Sequence, residues 1–199
     1  MTAEVIEDQI ATLAAAYGQP LRRDVRLQQE GPFDPLEKAD RYGEVCMVVR
    51  RPNGMLLTAI KTFYPPGAFR LLTGGIHHGE PILDALLRET EEETGLEVRV
   101  LRFLAAVSYR QPTEPADGPP GFWTFAFLLD ETGGSLQCAD PGEQLEAFQE
   151  IEVVDLPRIA ARLEALTSDQ SPDINGRWSD WGRFRAVIHR AVWEALTHY

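Results

Sequence analysis

The sequence predicts an α/β (α+β) fold: a mixed sheet sandwiched between helices, with further helices added at the N- and C-terminal ends. Three observations predict it. Strand-like apolar runs crowd residues 44 to 63, 69 to 75, 96 to 110, 121 to 131 and 148 to 156. Two helical segments, 81 to 94 and 157 to 166, fall inside that strand-rich centre. Strands and helices also fail to alternate one for one, as a regular parallel sheet with crossover helices would require.

Each element has a local reason. In residues 4 to 17, Ile6, Ile10, Leu13 and Tyr17 repeat at helical spacing, and Gly18-Gln19-Pro20 stops the helix. The following LRRDVRLQQ has the composition of an edge strand. EVCMVVRR (44 to 51) and MLLTAIKTF (55 to 63) flank Asn53-Gly54, the strongest local hairpin signal in the chain. FRLLTGG (69 to 75) is a short strand running into glycines. A helix from Pro81 to Thr94 has proline at its first position and Gly95 just past its end. LEVRVLRFLAAVSYR (96 to 110) and GFWTFAFLLDE (121 to 131) are strands joined by a proline-rich loop, 111 to 121, read as exposed. FQEIEVVDL (148 to 156) is the last strand and PRIAARLEAL (157 to 166) the second core helix. A final helix covers about residues 179 to 197, with Ser179 or Asp180 as its cap. The chain thus divides into an N-terminal helix and extension (1–40), a central domain (41–168) and a C-terminal helical extension (169–199).

Composition narrows the function. The 199 residues carry 19 Lys and Arg against 31 Asp and Glu, a net charge of −12. Coating a nucleic acid polymer or an anionic membrane needs a basic surface, so neither is expected as a partner. A small phosphorylated substrate stays open if metal ions supply positive charge. The longest wholly apolar runs, such as Val45 to Val49, have five residues, whereas a helical membrane span needs roughly 20. Glu4, Glu7 and Asp8 stand where a signal peptide would carry positive charge. Cys46 reads as a small buried hydrophobe, and with only Cys138 beside it there is no disulfide framework. The expected location is a reducing cytoplasm.

The chemistry concentrates in GGIHHGEPILDALLRETEEETGL, residues 74 to 96. Helix residues advance by about 100°, which puts Glu89, Glu92 and Glu93 within an arc of about 100°. That arc overlaps the apolar side set by Ile82, Ala85 and Leu86, whereas a solvated acidic face would lie opposite it. Three such carboxylates repel one another unless cations intervene. Arg88 is one cation for three anions, and clustered carboxylate oxygens suit hard ions such as Mg²⁺ and Mn²⁺. A solvated acidic run is the other reading. The glycines before the helix leave backbone groups accessible, so a carbonyl near Gly74 is a further oxygen donor.

Taken together these residues resemble the Nudix box, Gly-x5-Glu-x7-Arg-Glu-(apolar)-x-Glu-Glu-x-Gly-(apolar). Gly74, Glu80, Arg88-Glu89, Glu92-Glu93, Gly95 and Leu96 fill it. Thr90 replaces the usual aliphatic residue, and Thr73 stands where many relatives have proline. The resemblance implies a Nudix-like α/β/α sandwich over residues 41 to 168. It also implies metal binding by Glu89, Glu92, Glu93 and the carbonyl of Gly74, with Arg88 fixing the carboxylates. A later loop carboxylate is expected as ligand or general base, with Glu146 preferred over Glu143. The implied activity is metal-dependent hydrolysis of a diphosphate linkage, with Mg²⁺ as cofactor and Mn²⁺ as its substitute. ADP-ribose or a sugar nucleotide is the favoured substrate. A nucleoside triphosphate pyrophosphatase is the alternative, and a non-catalytic nucleotide-binding module a third reading.

Other residues stay open. His77 and His78 read as loop histidines. Lys61, Arg70 and Arg110 lie at or near strand ends, where a phosphate contact and a solvated charge are both open readings. Residues 171 to 189, with Trp178, Trp181, Arg177, Arg183 and Arg185, read as a helix covering the sheet, as a cover for substrate, or as a surface that packs against a partner subunit. A lone helix of about 14 residues is marginal, so the stripe of Ile6, Ile10, Leu13 and Tyr17 must be covered. A homodimer joined through the N-terminal segment is expected.

Overall fold

Val45, Met47 and Val49 point to one face of a sheet, Cys46 and Val48 to the other, and all five are fully buried. A strand alternating in this way needs a cover on both faces. The computed structural model describes residues 2–28, 40–111, 118, 120–138 and 141–198. The elements are α1 (Ala3–Tyr17), β1 (Leu21–Arg26), β2 (Arg41–Arg50), β3 (Leu56–Lys61), β4 (Arg70–His77) and α2 (Ile82–Thr94). They continue with β5 (Leu96–Arg110), β6 (Phe122–Gly134), β7 (Leu145–Ile151), α3 (Leu156–Glu164), the short pair β8 (Gln170–Ser171) and β9 (Gly176–Arg177), and α4 (Trp178–His198).

Seven strands form one mixed sheet in the order β1-β5-β6-β2-β4-β3-β7. β1 runs parallel to β5 and β2 parallel to β6, while the other main pairs are antiparallel. Residues of α1 and α2 share a hydrophobic cluster with Val45, Phe103 and Phe127 on one face. Residues of α3 and α4 share another with Cys46, Leu71 and Leu104 on the opposite face. The expected sandwich with helices at both ends is therefore observed.

Several expectations change in detail. β2 and β3 do not zip into a hairpin, since they pair only at Arg50 and Leu56. The Asn53-Gly54 turn forms, with Gly54 at φ 85° and the Asn53 Oδ1 accepting from the Met55 N–H at 3.0 Å. Beyond it the strands splay because β4 lies between them. The last strand begins and ends earlier than expected, at Leu145–Ile151, and Val153–Asp155 is a 3₁₀ turn. Glu152 and Asp155 cap that turn reciprocally, which gives its backbone an alternative to a ladder. Ser179 and Asp180 lie inside the first turn of α4, with Asp180 bonded to Arg183. The loop at 111 to 121 falls largely outside the described residues.

The N-terminal segment packs on its own chain. Ile6, Ile10 and Leu13 are buried in the cluster that includes Phe103, and β1 pairs with β5 from Leu21↔Ala105 to Arg26↔Arg110. The apolar stripe of α1 is thus covered by the chain's own sheet.

On the other face His189 of α4 is fully buried. Its Nε2 accepts the backbone N–H of Leu71 at 3.0 Å, so Nδ1 carries the proton and donates to the Arg185 carbonyl at 2.7 Å. Burial pushes its pKa down to about 4 from 6.5. The folded state holds the neutral ring, so this contribution is present above pH 6.5 and is lost as pH falls toward 4. The stability difference between the wild type and His189→Gln should shrink by about 3 kcal/mol over that interval, measured by urea unfolding. A difference that stays constant with pH would contradict a neutral buried ring.

Candidate active site

β4 delivers Gly74 and Gly75 to a cleft of about 570 Å³, whose walls include Arg41, Lys61, Arg88, Glu89 and Glu143. Both glycines allow close approach by side chains. A side chain at Gly74 would overlap the Glu89 carboxyl group, and a Cβ at Gly75 would fall 2.5 Å from Arg41 Nη1. Gly95, left-handed at φ 64°, ends α2 with its N–H bonded to the Glu91 carbonyl at 2.8 Å. That full stop fixes the last turn of α2, where the acidic residues sit.

Arg88 organises the acidic face. Its Nε and Nη2 grip Glu80 at 2.8 and 2.9 Å, and Nη1 reaches Glu89 at 2.8 Å and Glu92 at 2.9 Å. Nη2 also donates to the Gly75 carbonyl at 3.0 Å, tying the helix to β4. Glu80 accepts in addition from the His77 N–H at 3.0 Å. The bond from Arg88 holds the Glu80 carboxyl below its usual pKa. At Glu89, by contrast, burial outweighs Arg88 and raises the pKa.

Glu93 lies behind this layer, only 1% exposed, and neither of its carboxylate oxygens has a hydrogen-bond partner. Its nearest cation is Lys61, whose Nζ lies 4.0 Å away. Burial pushes its pKa up to about 7, against the pull of Arg70 and Lys61. Lys61 instead donates to Glu143 at 2.8 Å.

Sequence reading thus placed Gly74, Arg88, Glu89, Glu92 and Glu93 in one neighbourhood, and the structure brings them together. Glu146 is different: it is exposed on β7, at a register shift between the Ile60–Ala147 and Lys61–Leu145 pairs, outside the cleft lining. Glu143, ranked below it from sequence, lines the cleft. Next to it Gln144 adopts φ 53°, an unusual conformation for a side-chain-bearing residue, and its carbonyl accepts the Thr62 N–H at 2.9 Å. Arg41 went unmarked in the sequence because it stands alone at the start of β2. The departure at Thr90 is harmless, since its buried hydroxyl donates to the Leu86 carbonyl at 2.6 Å.

The Nudix family typically uses a divalent metal. Among the described residues no three carboxylates, histidines or cysteines converge into a ready ion cage; Glu89 and Glu92 are bonded to Arg88 instead. The donor chemistry nevertheless fits a hard cation. Two buried carboxylate oxygens of Glu93 lack partners, and Glu89 packs against the glycine backbone at Gly74.

Comparison with known proteins identifies the family. Residues 41–172 match the NUDIX domain. An ADP-ribose pyrophosphatase of Methanocaldococcus jannaschii is 31% identical over 130 residues, covering 65% of this chain and 72% of that protein. The human NAD-capped RNA hydrolase NUDT12 is 42% identical over 71 residues, 35% of this chain but only 15% of that protein. Among solved structures, an ADP-ribose pyrophosphatase from Streptococcus suis 89-1591 has a TM-score of 0.46 at 16% identity, covering 78% of this chain and 91% of that one. With the box residues gathered at one cleft and the domain match spanning most of the sheet, the chain belongs to the Nudix family of hydrolases.

Proposed function

We propose that the protein hydrolyses the diphosphate linkage of a nucleoside diphosphate joined to a second group, with ADP-ribose or a sugar nucleotide as substrate and Mg²⁺ as cofactor. The observation that carries it is Glu93. A carboxylate buried with both oxygens unmatched is costly to keep unless a ligand completes it. Glu89, Glu92, Glu93 and the Gly74 carbonyl are the groups that would hold the ion. A bound divalent ion, Mg²⁺ or Mn²⁺ in its place, neutralises diphosphate oxygens and acidifies water.

The chain's own residues do the rest. Arg88 keeps Glu80, Glu89 and Glu92 at fixed spacing against β4. Lys61 orients Glu143, which accepts the proton of the attacking water. Water adds to one phosphorus, the bridging P–O bond breaks, and the products are a nucleoside monophosphate and the phosphorylated remainder. Arg41 at the cleft wall meets the negative charge of the substrate.

Two named relatives support the substrate class, since ADP-ribose and NAD each hold a nucleoside diphosphate esterified to a second group. The test compares kcat/KM for ADP-ribose, UDP-glucose and ATP in Mg²⁺, with products identified. The linked diphosphates should be preferred. A triphosphate favoured tenfold or more would replace this substrate class with a nucleoside triphosphate pyrophosphatase.

A further inference from the structure

We propose that a second chamber beside the cleft is a phosphate subsite, which takes a phosphate monoester carried by the substrate beyond the diphosphate that is cut. The proposal rests on the hydrolase reading above and narrows its substrate class.

The chamber has a volume of about 160 Å³ and shares Arg41, Lys61, Gly74 and Gly75 with the cleft, so the two are continuous. Its outer wall is made by the C-terminal region, with Trp181 and Arg185 of α4. Four cations line it, Arg41, Lys61, Arg70 and Arg185, against two carboxylates, Glu44 and Asp173.

Three of the cations have carboxylate partners. Arg41 pairs with Asp40, Lys61 with Glu143, and Arg185 with Glu44. Arg70 has none within ion-pair distance among the described residues. It is 2% exposed, its Nε donates to the Tyr64 hydroxyl at 3.1 Å, and its Nη1 donates to the Leu71 carbonyl at 2.8 Å. Glu93 and Glu44 act on it only through space. Arg185, 8% exposed, spends Nη1 on both oxygens of Glu44 at 2.7 and 2.8 Å, and leaves its buried Nε without a partner.

Two buried guanidinium groups therefore border one small chamber with donor capacity unused. At Arg70 burial opposes the charge, but Tyr64, Glu93 and Glu44 outweigh it and hold the pKa above its usual value, so the group is a firm cation at the chamber wall. A phosphate monoester carries about −1.5 to −2 at pH 7 and would accept from the donors that Arg70 and Arg185 leave unused. The planar fork of arginine matches phosphate oxygens. A stacked base fits less well. Trp181 is 3% exposed and packs edge to face on Tyr64 at 4.8 Å and on Trp178 at 5.3 Å, so it presents no free ring face.

The experiment uses two pairs of probes that differ by one phosphate monoester: NADP against NAD, and coenzyme A against dephospho-coenzyme A. The phosphorylated member of each pair should show a kcat/KM higher by roughly tenfold to a hundredfold, the range of charge-assisted hydrogen bonds. Arg70→Met should bring both ratios close to one. Its melting temperature is measured in phosphate-free buffer alongside, because the variant also loses the bonds to Tyr64 and the Leu71 carbonyl. Lost stability with both members of a pair weakened alike would make Arg70 a structural residue and overturn the subsite. Calorimetric dissociation constants for the same four probes, measured on the Glu93→Gln protein, need no turnover. Preferential binding of the phosphorylated members without cleavage of any probe by the wild type would sink the hydrolase reading and keep the subsite. Cleavage without preference in either pair would sink the subsite alone.

Discussion

Glu93→Gln is expected to lower turnover roughly a thousandfold, about 4 kcal/mol of transition-state stabilisation, while making the metal-free protein more stable at pH 8. The two effects share one cause. The carboxyl group is fully buried, its oxygens are unmatched, and its pKa is raised to about 7 from 4.5. Because the folded state holds the proton more tightly than the unfolded state, stability falls as pH rises from 4.5 through 7. The penalty at pH 8 is about 3 kcal/mol. Glutamine removes it but brings an amide that also lacks partners, at about 1 to 3 kcal/mol. The net gain at pH 8 is on the order of 1 kcal/mol, and it vanishes at pH 5, where the wild-type carboxyl is protonated. Thermal unfolding in EDTA at pH 5 and pH 8, paired with turnover in Mg²⁺, measures both effects. Wild-type turnover at saturating Mg²⁺ would remove Glu93 from the chemistry, and equal destabilisation at both pH values would refute the buried, protonatable carboxyl.

Arg88→Lys carries the second largest expected effect. The guanidinium donates to three carboxylates and the Gly75 carbonyl at once, and its two-pronged grip on Glu80 anchors the start of α2 to its last turn. A lysine has three donors on one nitrogen and cannot span these acceptors. Losing an orienting partner of this kind typically costs 10- to 100-fold. Turnover should fall by about that factor, and half-saturation should need more Mg²⁺, since Glu89 and Glu92 are no longer bridged and oriented by one guanidinium. A merely structural role would lower the melting temperature without moving the Mg²⁺ dependence, so the titration separates the two.

What the sequence made legible was local and periodic. The 3.6-residue repeat alone turns Glu89 and Glu93 inward with Ile82 and Leu86, and the structure leaves them 7% and 1% exposed. Glu92, at the edge of the same arc, keeps its side chain 43% exposed. That Glu143 rather than Glu146 lines the cleft was beyond reach. It turns on the left-handed backbone at Gln144 and a one-residue shift against β3, and neither leaves a mark in composition. Arg41 was illegible as a cleft residue, and the pairing of Arg185 with Glu44 was illegible for a related reason. Arg185 meets Glu44 across 141 residues of sequence, and only the completed sheet brings them together. The hairpin at Asn53-Gly54 misled in the opposite direction: the turn is local and forms, but strand order is decided by β4, which no turn signal announces.

The position of β1 at the rim of the sheet has a consequence for solubility. Without it, β5 would present the unpaired backbone of Ala105 to Arg110, a stretch in which Ala105, Ala106, Val107 and Tyr109 are now fully shielded. A long, apolar, unpaired strand is a template for any other chain to add to. β1 fills that position with a short strand whose Arg22, Arg23, Asp24 and Arg26 face water, and charged residues on a short rim strand discourage further pairing. The N-terminal segment thereby acts as a built-in guard against aggregation, and a chain shortened past Leu27 is expected to gain mass through indiscriminate strand addition.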